Sequence, residues 1–503
     1  MKMIDSLLNK ITMYRLVVYE LIFLLCVAGI MGSFGVLSYS PAFLAFSTAV
    51  IFCACWFVNR VFAYVFEAPY NPESTWITAL ILALIITPPT TWLDPQYLSL
   101  ALWASAWAMA SKYMFAIGKK HLFNPAAAGV AMTSVFLGLS ASWWVGTPVL
   151  APFVVVGGLL IVRKIHRFDL WWSFMTVFTG GILYFIIDYQ LGLGQALSQS
   201  FLTAPVFFFG TVMLTEPLTA PATRWWRMLY GAGIAILILP NVSIGSFYFS
   251  PELALLAGNI AAYIVSPKQK LVLKLKEKIR LSRDVFEFVF ALPERVAFKP
   301  GQYMEWTLAH AGADSRSIRR YFTIASAPED SDLRLGVKFY SPSSTFKKAL
   351  FAMQPGDTIV AAQRAGDFTL PRNREKRLVF IAGGIGVTPF RSMIQHMLDT
   401  GEKRPVTVLF ANKTPDDVVY RDMFDRAQRE LGIKTVYAFS DAPDASGTRF
   451  IDRAAIEREI PQYEDCLFYI SGPQGMVTSL KDMLGELGIK RRNIKTDYFP
   501  GFA

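Results

Sequence analysis

The sequence predicts a multidomain membrane protein. A polytopic α-helical bundle of about ten spans is followed by a small antiparallel β-barrel and then a doubly wound α/β domain. Three observations carry this. First, the chain has 503 residues, 53% of them hydrophobic and only 17% charged, against about 25% charged in an ordinary soluble domain. Second, the apolar residues are concentrated between about 16 and 266, and from 268 onward the composition is that of a soluble protein. Third, the hydrophobic period changes near Arg377, from short alternating runs to continuous apolar strands separated by helical stretches. The expected domains are 1–267, 268–372 and 373–503.

This composition excludes disorder, a collagen-like fibre, a disulfide scaffold and a wholly soluble enzyme. The net charge of +11 does not indicate nucleic acid, because the basic residues flank apolar spans or are mixed with acids rather than forming one patch. The four cysteines, Cys26, Cys53, Cys55 and Cys466, have neither zinc spacing nor the spacing of a four-thiolate iron–sulfur site. Lys2, Lys10 and Arg15 precede an apolar stretch longer than a signal-peptide core and followed by more of its kind, so it reads as a retained membrane helix.

The expected spans are 16–38, 42–65, 74–90, 96–115, 124–141, 149–162, 169–187, 201–214, 228–241 and 250–266, each near the ~20 residues that cross ~30 Å of hydrocarbon. The stretches 149–162 and 201–214 are short, as broken or tilted helices would be. Between Arg15 and Lys268 the basic residues are Arg60, Lys112, Lys119, Lys120, Arg163, Lys164, Arg167, Arg224 and Arg227, all near alternate connections. The positive-inside rule then puts both termini and the soluble half in the cytoplasm, on a bacterial-type inner membrane.

Two membrane-half stretches carry polar residues next to proline: His121-Leu122-Phe123-Asn124-Pro125-Ala126-Ala127 and Thr215-Glu216-Pro217-Leu218-Thr219-Ala220-Pro221. Irregular backbone at membrane depth persists only when buried in protein or lining a cavity, so each frames a cofactor or ion site or else is a plain helix start and loop. With Thr87-Pro88-Pro89 and Gly258-Asn259, these stretches resemble the NqrB/RnfD family of flavin-carrying membrane subunits, over most of 20–266. The resemblance implies an FMN joined covalently to an outward-facing threonine. The nearest match to the family's attachment motif is Trp144-Val145-Gly146-Thr147, with Trp and Gly where the family has smaller polar residues and Ala. The other reading is a tryptophan interface belt, Trp143-Trp144, followed by a turn.

In the soluble half, Arg320-Tyr321-Phe322-Thr323-Ile324-Ala325-Ser326 offers a planar cation for pyrophosphate, a ring to stack on a flat heterocycle, and hydroxyl donors. Ser343-Ser344-Thr345 forms a small polar turn suited to phosphate oxygens. The strand Leu378-Val379-Phe380-Ile381-Ala382 runs into Gly383-Gly384-Ile385-Gly386-Val387-Thr388-Pro389 and a helix, an arrangement that favours an anion at the helix start. A later strand ends in Ser471-Gly472-Pro473.

These ordered motifs resemble the ferredoxin-NADP reductase family over about 270–503. The resemblance implies that Arg320, Phe322, Thr323 and Ser326 hold FAD and that Ser343, Ser344 and Thr345 meet its pyrophosphate. Gly384, Gly386, Thr388, Pro389, Gly472 and Pro473 would bind NADH or NADPH. Ser471 stands where the family has cysteine, beside the hydride path. The tail Thr496-Asp497-Tyr498-Phe499-Pro500-Gly501-Phe502 resembles the family's terminal segment at the flavin ring. Tyr498, Phe499 and Phe502 are each open as its cover, and Ser471 and Phe499 are the candidate catalytic residues.

The expected function is a membrane-bound NAD(P)H dehydrogenase. Electrons would pass through FAD to a membrane-domain flavin and then to quinone or an extracytoplasmic acceptor, with ion movement a possible accompaniment. Expected partners are the bilayer, the quinone or flavin acceptor, and redox subunits or a second copy, with no nucleic acid. Two rivals stand beside it. A haem-type transmembrane reductase needs paired axial histidines, and only His121 and His166 of the four histidines lie in the membrane half; no haem and no iron–sulfur cluster are therefore expected in this chain. A transporter with a redox-sensing module is the other. Lys413, alone after the second strand of the α/β domain, leans slightly toward NADH over NADPH.

Overall fold

The computed structural model describes residues 4, 8, 11–68, 72–118, 120–240, 242–245, 247–266, 270–292, 296–314, 318–441 and 449–497. The chain divides into two compact units, Met1–Gln269 and Lys270–Ala503.

The first unit is helical: α1 (Met13–Ser33), α2 (Pro41–Val65), α3 (Pro72–Ile85), α4 (Pro95–Met114), α5 (Pro125–Leu137), α6 (Ala151–Lys164), α7 (Phe168–Asp188), α8 (Leu193–Phe201), α9 (Arg224–Leu237) and α10 (Pro251–Val265). Proline opens several of them, where its missing N–H costs nothing, and hydroxyl, carboxylate or amide side chains cap the starts. Asp94 accepts from Gln96 N and Tyr97 N at 3.0 and 3.2 Å, and Asn124 accepts from Ala127 N at 3.1 Å. A core of fully buried Leu21, Leu24, Ile51, Leu82, Ile85 and Phe174 packs the helices together.

Helix length corrects the expectation of about ten spans. Every expected stretch contains helix, but among the described residues only α1, α2 and α7 are long and apolar enough to cross a bilayer. A fourth is counted if α8 and the segment Val206–Met213, bent by 48°, make one span. The apolar helices α3, α5 and α10 have only 14, 13 and 15 residues. At 1.5 Å per residue they rise about 20–23 Å, short of ~30 Å of hydrocarbon. Composition hid this because the apolar runs continue past the helix ends into turns, as at Thr87-Pro88-Pro89 after α3.

The second unit begins with β1 (Leu271–Arg280), β2 (Val285–Ala291), β3 (Tyr303–Thr307), β4 (Arg319–Thr323), β5 (Asp332–Lys338), α11 (Thr345–Ala352) and β6 (Thr358–Ala365). The strands pair antiparallel in the order β4-β3-β6-β1-β2-β5. Just past β4, Ala325 N–H donates to Arg334 O of β5 at 2.9 Å. With Arg334 N on Ser326 Oγ at 3.1 Å, this brings the chain just past β4 against β5, so that the two ends of the sheet approach each other as in a barrel. Phe288, Phe290, Trp306, Leu333, Leu335 and Phe346 fill its core.

Then follow β7 (Leu378–Gly383), α12 (Thr388–Thr400), β8 (Val406–Asn412), α13 (Arg421–Leu431), β9 (Lys434–Phe439), α14 (Arg453–Glu459), β10 (Leu467–Ser471), α15 (Gln474–Glu486) and β11 (Ile494–Asp497). All sheet pairs are parallel, in the order β9-β8-β7-β10-β11. Strand β7 is buried along its whole length, as expected for a central strand with helices on both faces. The strand order reverses between β7 and β10, where Ala382 lies opposite Ser471. Ligands of doubly wound sheets bind outside the carboxyl ends at such a reversal.

Helix α12 ties this sheet to the barrel. Ser392 Oγ donates to Ser326 O at 2.6 Å, and Arg391 donates to Ala325 O at 2.8 Å and Asp330 Oδ2 at 3.0 Å. Beside it, Tyr420 OH donates to Glu287 Oε1 at 3.0 Å, while Arg334 holds the other oxygen of Glu287 at 2.6 Å.

Candidate active site

The flavin motif lies on β4 and in the turn after it, against the first turn of α11. Arg320 is buried, with its guanidinium 5.2 Å from the centre of the Phe346 ring. Phe322 packs on the same ring at 6.1 Å. Thr323 is 3% exposed, and its hydroxyl has no hydrogen-bond partner among the described residues. Ser326 is buried, but its hydroxyl accepts from Arg334 N at 3.1 Å. Its oxygen therefore serves the barrel, and its O–H remains the group with which it could donate to a ligand.

The polar turn is also partly used by the fold. Ser344 caps α11 by accepting from Lys347 N at 3.3 Å, and the Ser343 hydroxyl bonds to Tyr340 O. Thr345 and Asp314 bond reciprocally: Asp314 N donates to Thr345 Oγ1 at 3.0 Å, and Thr345 N to Asp314 Oδ2 at 3.1 Å. Asp314 Oδ1 also lies 3.8 Å from the Arg320 guanidinium. A buried cation, a helix start and a buried hydroxyl in search of a partner fit the pyrophosphate end of a flavin dinucleotide.

On the nucleotide side, the Gly384–Val387 turn connects β7 to α12. Gly384 has φ +51°, a left-handed conformation, and faces open space. Gly386 abuts the loop after β10: a Cβ there would lie 2.5 Å from Ser471 O and 2.6 Å from Gly472 N and Cα. Thr388 is buried and donates to Ile385 O at 3.2 Å, and Pro389 stands in the first turn of α12. Ser471 is buried, whereas Pro473 is exposed. Gly384, Gly386, Thr388, Pro389, Ser471, Gly472 and Pro473 thus meet at the reversal between β7 and β10. Phe499, Tyr498 and Phe502 lie outside the described residues.

Three groups here were not singled out from sequence. Asp497, in register with Ser471, has an Oδ2 without a partner among the described residues, and burial pushes its carboxyl up to about 7. Asn412 ends β8 with its side-chain Nδ2 buried and likewise unpartnered. Asp441 sits past the end of β9, its N–H on Lys413 O at 3.0 Å and its carboxylate accepting from Ser440 Oγ at 2.8 Å. The first two show only as burial without a partner, which a sequence does not display.

The helical unit brings its two proline-containing stretches together. Asn124 Nδ2 donates to Glu216 Oε2 at 2.8 Å, Thr219 donates to the same oxygen at 3.1 Å, and His121 lies 3.8 Å from Oε1. Asn259 accepts from Asn124 N at 2.8 Å. Arg167 and Arg227 hold Pro221 O and Ala222 O at 3.0 and 2.8 Å, so this is a built loop rather than a slack connection. Asn124 and Glu216 line a small, partly open cavity of about 70 Å³, whose other walls include Val17, Ile77, Ile81 and Val212.

Thr147 is half-buried, and its hydroxyl is covered with no hydrogen-bond partner among the described residues, so covalent attachment there needs the oxygen to be uncovered first. Trp143 and Trp144 are buried too, bonded to Glu252 Oε2 at 3.2 Å and Ala83 O at 2.9 Å. They are core residues, not an interface belt.

Comparison with known proteins agrees with the geometry of the second unit. Residues 272–369 match the oxidoreductase FAD-binding domain, and residues 380–482 the oxidoreductase NAD-binding domain. This unit is a ferredoxin reductase-like FAD- and NAD-binding module, and the chain is an oxidoreductase. An NADH-cytochrome b5 reductase 1 of Ajellomyces capsulatus is 27% identical over 60% of this chain and 94% of its own length. A flavohemoprotein of Deinococcus radiodurans is 28% identical over 45% of this chain and 58% of its own. One subunit of the Na(+)-translocating NADH-quinone reductase of Methylococcus capsulatus is 30% identical over 36% of this chain and 49% of its own. The chain therefore spans about half the length of the latter two.

Proposed function

We propose that the protein is a membrane-bound NADH dehydrogenase that passes electrons through FAD to a ring acceptor, a flavin or a quinone, held by the helical unit. The observation that carries this is the junction of Gly384–Gly386 with Ser471–Gly472, built into one compact unit with the flavin motif and continuous in sequence with an apolar helical unit. When bound, FAD supplies two-electron uptake from the nicotinamide and one-electron release to the acceptor.

The chain's own residues bind and orient. Arg320 and the start of α11 take the pyrophosphate of FAD. The turn at Gly384–Gly386 and the start of α12 take that of the dinucleotide. Ser471, at the end of β10, and Asp497 beside it border the space where the two rings meet. Asp441 near the end of β9 favours the free ribose hydroxyls of NADH and repels a ribose phosphate.

For the acceptor, the cavity at Asn124 and Glu216 offers apolar walls with an amide and a carboxylate at one side, the make-up of a small-molecule site. Counting α1, α2, α7 and the bent α8 pair as four crossings, both ends of the helical unit lie on one side of the bilayer, and the reading takes that side as cytoplasmic from the basic residues near Arg60, Arg163–Arg167 and Arg224–Arg227. This membrane reading rests on the sequence resemblance to the NqrB/RnfD family together with that cavity. It takes the bilayer and a quinone or flavin acceptor as partners, with redox subunits or a second copy beside them. The test is NADH oxidation by the protein in liposomes with and without a quinone. Quinone-dependent turnover that falls in Glu216→Gln supports the reading. Turnover indifferent to both would leave only a flavin reductase.

A further inference from the structure

We infer that His310, on the loop between β3 and β4, is a flavin-binding residue that accepts a hydrogen bond from a sugar hydroxyl beside the pyrophosphate of FAD. The imidazole geometry fixes which nitrogen is available. Nδ1 lies 2.9 Å from Leu308 O. A carbonyl oxygen only accepts, so Nδ1 carries a proton, and in the imidazole tautomer that this selects, Nε2 presents a lone pair. Nε2 is buried and has no hydrogen-bond partner among the described residues. Buried acceptors of this kind are nearly always satisfied in folded proteins.

The position tells which donor it meets. The His310 ring stands edge-on to Phe346, with centroids 6.4 Å apart and planes at 80°. Phe346 follows Ser344 and Thr345 in the first turn of α11, and its ring carries the Arg320 guanidinium. His310 and Arg320 therefore flank one aromatic ring at the pyrophosphate end of the site. Phosphate oxygens only accept, so they suit Arg320 and cannot serve a lone pair. The hydroxyls of the ribityl and ribose groups on either side of the pyrophosphate are donors, and they match Nε2. The division of labour is charge recognition by Arg320 and hydroxyl recognition by His310.

This inference rests on the flavin reading of the second unit, and its test separates the two. The full-length protein in detergent is stripped of flavin and titrated with FAD, following flavin fluorescence. His310→Phe keeps a ring against Phe346 but removes the acceptor, and His310→Gln restores a side-chain acceptor. FAD affinity is expected to fall roughly tenfold in His310→Phe and to recover in most part in His310→Gln. The flavin-free thermal midpoint should stay unchanged in both. FAD binding by His310→Phe equal to wild type would overturn the inference. So would an equal loss in both variants with a lowered flavin-free midpoint, which is the signature of packing. A wild-type protein that takes up no FAD would instead sink the flavin reading, and this assignment with it.

Discussion

Replacing Gly386 with alanine tests the nucleotide site at its tightest point. The added Cβ would lie 2.5 Å from Ser471 O, whereas ordinary contact starts at 3.4 Å, so the two loops must part by about 0.9 Å (3.4 less 2.5). The opposing atoms are backbone, which has no rotamer to yield. Wedging atoms into a packed site costs roughly 1–3 kcal/mol, and each kcal/mol lowers the unfolding midpoint of a domain this size by about 2–4 °C. The effect on rate is larger. A displacement near 1 Å at a positioned reacting pair costs on the order of 100-fold, and these loops border the hydride path. Rapid mixing of the FAD-loaded protein with NADH, following flavin absorbance, measures that step directly. Reduction should slow about 100-fold while FAD content stays at the wild-type level, because the flavin motif lies on β4 and α11. Wild-type reduction rates in Gly386→Ala would refute the proposed role of this junction.

Further outcomes follow from the same geometry. Arg320→Ala should lose most bound FAD after gel filtration yet still fold, as read from the flavin-to-protein absorbance ratio and a melting curve. Asp497 should make stability fall as pH rises. The native carboxyl keeps its proton up to about 7, while the unfolded one releases it near ~3.9, so the native state binds more protons across that window. Melting midpoints of wild type relative to Asp497→Asn should therefore decline from pH 4 to pH 7 and then level off; parallel curves would contradict the buried, unpartnered carboxylate. Intact mass after denaturation should show no flavin adduct on either wild type or Thr147→Ala, because that hydroxyl is buried. Tyr420→Phe removes a hydrogen bond to a carboxylate and should cost about 1.5–3 kcal/mol, read from denaturant unfolding.

The second unit was legible because its signals are local. Strand β7 reads as one apolar run, the glycines sit where the chain must turn under the next helix, and the change of period near Arg377 marks the passage from barrel to parallel sheet. Ser326, Ser344 and Thr345 were read as ligand hydroxyls, and the fold itself uses each of them: Ser326 accepts from Arg334 N, Ser344 caps α11 and Thr345 accepts from Asp314 N. Hydroxyl residues near turns serve caps and ligands alike, and only the partner's position decides. Asn124 and Glu216 each stood out, yet their bond spans 92 residues of sequence, which no local pattern reveals. Helix lengths in the first unit were overestimated because hydropathy continues through turns that end the helix. The rival reading of Trp143-Trp144 as an interface belt fails for a different reason: only packing shows the two rings facing inward. His310 carries no motif and Asp497 was quoted only as part of the C-terminal tail; the interest of both lies in burial without a partner among the described residues.

The central claim is that Lys270–Ala503 takes hydride from NADH onto FAD. Anaerobic titration of the FAD-loaded full-length protein tests it most directly. One equivalent of NADH should bleach the flavin band fully, and NADPH should do so far more slowly. A protein that retains FAD but whose absorbance is unchanged by either nucleotide would contradict the account.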